Sequence, residues 1–153
     1  MKKVVKFGGS SLASAAQFEK VGKIIRAEDS RRYVVPSAPG KRFSSDTKVT
    51  DMLYSCYAKA EKEEDFSKDL AQIKARYQEI IDGLSLSLSL DDAFEKIRKD
   101  FTDKAGIQYA ASRGEFLNGM VMAAYLGFAF VDAADVIRFF EDGTLDNETT
   151  NRL

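Results

Sequence analysis

A length of 153 residues suits one domain with a substantial core, and a formal charge of −1 gives no case for broad nucleic-acid binding. The lack of histidine excludes a Ser-His-Asp triad, a Cys-His pair and an H-E-x-x-H metal site within the chain; the single cysteine excludes an internal disulfide and a multi-cysteine zinc site. Chemistry is left to carboxylates, lysines, arginines, hydroxyls and backbone groups, an inventory that suits phosphoryl transfer, which relies on positioning and charge. No apolar run approaches the length of a membrane span and no secretory signal is evident, so no membrane partner and a cytoplasmic location are expected.

The first stretch, Val4-Val5-Lys6-Phe7-Gly8-Gly9-Ser10-Ser11, reads as strand, tight turn, helix. A backbone without side chains lets a ligand approach closely, and the free N–H groups at a helix start attract anions. Lys6 adds a positive charge beside the turn. This is neither a P-loop, which places its lysine after the glycines, nor G-x-G-x-x-G. Two readings stand side by side: a phosphate-binding turn, or a buried strand whose lysine snorkels to water.

Residues 13–28 carry Phe18, Val21, Ile24 and Ile25 at helical spacing, with Ser10 or Ser11 as the expected cap. Tyr33-Val34-Val35 is a short buried-strand candidate that stops at Pro36-Ser37-Ala38-Pro39-Gly40. Both strands then end at one sheet edge, where ligands of parallel α/β sheets gather. The polar stretch 41–48 has no apolar period and is expected to be mobile.

Residues 49–60 read as a helix with Val49, Leu53 and Cys56 or Tyr57 inward, and Thr50 and Asp51 near its start. Cys56 reads as a small core residue. Residues 61–65 read as a solvated helix end. A helix over 66–81 turns Leu70, Ile73, Tyr77 and Ile81 to one face, and Gly83 suits its end. The Ser/Leu alternation of 84–90 has the period of a strand but lies between two helices, so it reads as an extended connector. Ser89 with Asp92 resembles a cap for the helix over 91–102, which carries Phe94, Ile97 and Phe101.

A long, weakly polar helix over 105–126 should be central and largely buried. Arg113 and Glu115 in its middle are conspicuous, because burying charge is costly unless it is paired. They read either as an ion pair or a water-facing end, or as site residues; Gly114 between them suggests close approach of something else. Gly127 ends the helix. Residues 128–131 form a third strand candidate, and Val136-Ile137 a fourth after an Asp132-Ala133-Ala134-Asp135 turn. Asp142-Gly143 marks a turn, and Asp146-Asn147 a cap shortly before the last residue. The expectation is an incomplete domain.

The order Lys6-Phe7-Gly8-Gly9-Ser10-Ser11, Val34-Val35-Pro36-Ser37-Ala38, Lys48-Val49-Thr50-Asp51 and Ser112-Arg113-Gly114-Glu115 resembles the aspartate kinase (aspartokinase) family of the amino-acid kinase superfamily. The resemblance covers essentially all of the chain and only the N-terminal part of the family's catalytic domain. It implies an α/β fold, a three-layer α/β/α sandwich with a mainly parallel sheet, here incomplete. Residues 1–153 would be its N-terminal portion, without the later nucleotide-binding part or the regulatory ACT-type domains. The implied reaction moves the γ-phosphoryl group of ATP, with Mg²⁺, to the side-chain carboxylate of L-aspartate, giving 4-phospho-L-aspartate for lysine, threonine and methionine biosynthesis.

By the same resemblance, Lys6, Gly8 and Gly9, with Ser10 beside them, contact ATP phosphates, and Lys6 is the catalytic group. Ser37 and Thr50 lie at the substrate, and Glu115 holds the amino group of aspartate. No metal ligand is assigned to the chain, and a homo-oligomer is expected. Arg113 is expected to have a structural role. The chemistry agrees with the inventory: a carboxylate acceptor is already ionised and needs no general base. Its repulsion from the triphosphate must be offset by cations and amides. The alternatives are another superfamily member, such as an acetylglutamate or glutamate kinase, or an inert folding and association unit whose unpaired sheet edge invites self-association.

Overall fold

The computed structural model describes residues 1–152. In chain order it contains β1 (Lys3–Phe7), a 3₁₀ turn (Gly9–Leu12), α1 (Ala15–Arg26), β2 (Arg31–Pro36), α2 (Val49–Glu61), α3 (Ser67–Gly83), α4 (Asp91–Thr102), α5 (Ile107–Leu126), α6 (Ala133–Val136) and α7 (Asn147–Arg152). β1 and β2 pair in parallel, with α1 as the crossover, Val4 opposite Tyr33 and Lys6 opposite Val35. Both strands therefore exit at the same edge, as the sequence predicts.

Alternation along the strands separates two faces. Val5, Phe7 and Val34 pack against the helical core, while Val4, Tyr33 and Val35 are exposed. A purely parallel sheet normally has both faces covered. Among the described residues, the α/β sandwich is represented by the sheet and one helical layer.

The helices bury the stripes their spacing predicts. α1 buries Phe18, Val21 and Ile25; α2 buries Val49, Leu53, Cys56 and Tyr57; α4 buries Phe94, Ile97 and Phe101. Ile24 lies outside the stripe and is exposed. Tyr57 meets Phe101 edge to face at 5.2 Å between ring centroids, a favourable arrangement for aromatic quadrupoles. Burial pushes the Cys56 thiol up to about 12, as expected of a core residue rather than a nucleophile. In the connector after α3, Leu84, Leu86 and Leu88 pack against the core while the intervening serines are exposed. Its period of two serves one-sided burial without a strand partner.

The structure corrects four expectations. Ser14, not Ser10 or Ser11, stands at the N-cap of α1; the two earlier serines lie in the 3₁₀ turn. Residues 128–131 form no strand: Phe130 turns onto α5, meeting Phe116 edge to face at 5.5 Å. Residues 132–135 are not a simple turn and 136–137 not a strand. The Asp132 carboxylate accepts from the Ala134 N–H at 3.0 Å, and the helix it caps takes up Val136. Finally, 41–48 is tied down rather than loose. Asp46 accepts from the Arg42 amide and guanidinium and from Arg76, and the Val49 N–H donates to the Pro39 carbonyl at 3.1 Å.

Candidate functional site

The two strand exits are fastened to each other by backbone. The Ser37 N–H donates to the Phe7 carbonyl at 3.0 Å, and the Gly40 N–H to the Gly9 carbonyl at 2.8 Å. The approach is so close that side chains are excluded. A Cβ on Gly9 would stand 2.7 Å from the Ala38 carbonyl oxygen, and one on Gly40 would stand 2.6 Å from the Gly9 carbonyl carbon. Gly8 differs. Its φ is −77°, open to any residue, and a Cβ there would meet nothing within 4 Å. The packing therefore does not require glycine at position 8. The Gly9 and Ser10 amides precede the Ser11 N–H, which closes the turn on the Gly8 carbonyl at 3.0 Å.

α5 supplies the second side of the site. Gly114 lies so close to the strand exit that a Cβ would stand 2.7 Å from that of Ala38. Its neighbour Glu115 can thereby reach the loop, where Oε1 accepts the Ala38 N–H at 3.3 Å. One turn on, the buried Asn118 donates from Nδ2 to the Ser37 carbonyl at 2.6 Å. The Tyr77 hydroxyl, from α3, donates to the Gly114 carbonyl at 2.7 Å. Burial, then the Glu115 charge, pushes the Tyr77 pKa up, so the hydroxyl keeps its proton and remains a donor.

Gly8, Gly9, Ser37 and Glu115 are thus joined through one set of backbone-centred hydrogen bonds, and Ser10 lies within the turn that the Gly8 carbonyl closes. Thr50 lies in the first turn of α2, whose start is anchored on Pro39. Lys6 takes part in none of these bonds. It is exposed, on the side of the sheet it shares with Val4 and, by register, with Tyr33 and Val35. Arg113 is not paired with Glu115. Its guanidinium stacks on Tyr109 at 4.4 Å and on Phe116 at 4.6 Å, and donates to the Ser112 hydroxyl. Such stacking of a guanidinium on ring faces is favourable.

Sequence reasoning missed Arg76, Asp46 and Asn118. The signal was present for two of them. Arg76 sits on the Ile73, Tyr77, Ile80 stripe of α3 and Asn118 on the Gly114, Leu117, Val121 stripe of α5, so helical spacing placed both among buried residues. Between the free edge of β2, α5 and the segment after it runs a groove of about 1250 Å³, lined by Tyr33, Val35, Glu115, Phe116 and Phe130 among others. Among the described residues, no three His, Cys, Asp or Glu side chains are grouped to hold a metal ion, and no helix is long and apolar enough to cross a membrane.

The model of the amino acid kinase family matches residues 1–152. Aspartokinase 3 of Bacillus subtilis (strain 168) is 42% identical over 141 residues, which cover 86% of this chain and 30% of that protein. Among solved structures, Clostridium acetobutylicum aspartate kinase is 44% identical with a TM-score of 0.92, over 97% of this chain and 34% of that one. E. coli aspartokinase III, solved in complex with aspartate and ADP, is 19% identical with a TM-score of 0.69 over 100% of this chain and 36% of its own; this likeness concerns the fold alone. The chain spans about a third of the length of these relatives.

Proposed function

Since the chain belongs to the amino acid kinase family, we propose that it is the N-terminal part of the catalytic domain of an aspartate kinase. The parent enzyme moves the γ-phosphoryl group of ATP to the side-chain carboxylate of L-aspartate, at the head of lysine, threonine and methionine biosynthesis in the cytoplasm. Identities of 42% and 44% to two aspartate kinases support this acceptor over others in the family.

Gly8 carries the proposal for the site. Its neighbour Gly9 is glycine because Ala38 leaves no room, but nothing in the fold requires glycine at position 8. A residue without a side chain, freely placed at a strand exit, suits a ligand that comes against the backbone. In this reading the Gly8–Gly9 backbone and Ser10 cradle ATP phosphates, and Lys6 offsets the charge that accumulates as carboxylate and triphosphate approach. Ser37 and Thr50 position the aspartate, and the Glu115 carboxylate holds its ammonium group. Such a charge-assisted contact contributes roughly 1.5–3 kcal/mol. Glu115 also favours a free amino acid over an acetylated one, since an acetylated nitrogen needs no anionic partner.

Mg²⁺ would supply charge neutralisation on the phosphates. This reading assigns it no protein ligand, and no step is routed through it.

The test is ADP release by the protein that carries this chain, with L-aspartate, L-glutamate and N-acetyl-L-glutamate as acceptors. Fastest turnover with aspartate is expected; fastest turnover with acetylglutamate would overturn the assignment. The exposed Val4, Tyr33 and Val35 favour a second reading for residues 1–153 by themselves, as a unit that associates and does not turn over.

A further inference from the structure

The most elaborate polar arrangement in the molecule is not at the proposed ligand site but behind it. Arg76, on α3, is 4% exposed. Its Nη2 donates to the Gly40 carbonyl at 2.8 Å and to the Ala13 carbonyl at 3.2 Å, and its Nη1 donates to Asp46 Oδ2 at 2.6 Å. Ala13 directly follows the 3₁₀ turn of the first strand exit, and Gly40 closes the loop of the second. One guanidinium therefore holds both exits. Asp46 is held in turn by Arg42, through Nε at 2.9 Å and Nη2 at 3.0 Å, and Arg42 pairs with Glu79 at 2.6 Å.

Packing does not account for this arginine. Its Nε is buried with no partner, and an unmet buried donor is unfavourable. A methionine would remove that defect but would leave the Gly40 and Ala13 carbonyls and one Asp46 oxygen without this donor, so it is those three acceptors that call for the arginine. What only the planar guanidinium supplies is simultaneous donation to two carbonyls and a carboxylate in fixed geometry. Gly40 is the residue whose contact with Gly9 and Ser10 leaves no slack.

We propose that Arg76 and Asp46 form a buried clasp that sets the spacing of the two strand-exit loops, and that both are positioning residues for the phosphates bound at Gly8–Ser10. Neither touches the ligand. The clasp acts by holding Gly40 against Gly9, which fixes where the turn presents its amides. The second half of this proposal rests on the nucleotide reading above; the first half does not.

The test is residue-resolved amide hydrogen exchange on the whole chain without ligand, for the wild type and for Arg76→Met, Arg76→Lys and Asp46→Asn, followed by titration with MgATP of the protein that carries this chain, with the same substitutions. Exchange of the Gly40 and Val49 amides is expected to accelerate at least tenfold in Arg76→Met and Asp46→Asn, with α4 amides unchanged and Arg76→Lys intermediate. MgATP affinity, corrected for the folded fraction, is expected to fall at least tenfold in the same order. If Arg76→Met does not fold, Asp46→Asn carries the comparison. Uniform acceleration over all helices, or loop exchange equal to wild type, would overturn the clasp. Locally accelerated exchange with unchanged affinity would overturn its positioning role. A wild type that binds no MgATP would overturn the nucleotide reading, and the exchange pattern would still decide the clasp.

Discussion

Gly9 and Gly40 stand backbone against backbone, the Gly40 N–H donating to the Gly9 carbonyl at 2.8 Å. The contact binds the exits of the two parallel strands into one ledge, and Glu115 meets the ledge from α5 through the Ala38 amide. The close approach removes side chains from Gly9, Gly40 and Gly114, whereas Gly8 remains open.

That contrast gives a paired substitution. Gly40→Ala forces a Cβ to within 2.6 Å of Gly9 backbone, so it should destabilise by about 1–3 kcal/mol, as overpacking does. Gly8→Ala meets open space and should change stability by no more than about 0.5 kcal/mol. Urea denaturation followed by circular dichroism reads both. A Gly8→Ala protein as damaged as Gly40→Ala would show that position 8 serves the fold and not a ligand.

The acid limb of stability should report Asp46. Burial pushes its carboxyl up, but the Arg42 and Thr47 amides and the Arg42 guanidinium outweigh that and hold it below its ordinary value. A folded pKa below the unfolded one means stability present above the unfolded value, near pH 4, and lost as pH falls through the folded value. Other carboxylates, such as Asp65 and Asp91, are lowered too, so the difference between proteins is the quantity to read. The urea midpoints of wild type and Asp46→Asn should converge as pH falls below about 4. Parallel curves over that range would remove Asp46 from the acid response.

The open sheet face should drive association. Val4, Tyr33 and Val35 are 67%, 52% and 50% exposed on a parallel sheet, a type normally covered on both sides. Sedimentation velocity of residues 1–153 should show mass rising with concentration, and Val35→Lys should return the chain toward monomer. A wild-type monomer across the concentration range would show that this face is tolerated in water.

Helical spacing and the punctuation by Gly and Pro made α1 to α5, both strands and their shared edge legible in the sequence. α4 matches its expected bounds, and Gly127 ends α5 in the left-handed conformation glycine adopts. The expectation of a strand over 128–131 failed because a short apolar run does not say what it pairs with. Here the packing of Phe130 on α5 decided. The expected looseness of 41–48 failed for a related reason. Beside the local Arg42–Asp46 bonds, its tie to the core is Arg76, thirty residues beyond Asp46, and a charge pattern read locally cannot show a distant partner. The motif order placed Gly8, Gly9, Ser37 and Glu115 in one neighbourhood, yet gave no sign that Lys6 stands outside the hydrogen bonds that join the two strand exits.

Lys6 is therefore the sharpest point of the account. Its side chain is exposed and shares in none of the hydrogen bonds that join the two strand exits, so Lys6→Ala should leave the melting temperature unchanged. The decisive measurement is calorimetric titration of the protein that carries residues 1–153 with MgATP, wild type against Lys6→Ala. At least tenfold weaker binding by Lys6→Ala is expected, a difference of about 1.4 kcal/mol. Equal affinity in the two proteins would contradict the assignment of this loop to nucleotide phosphates.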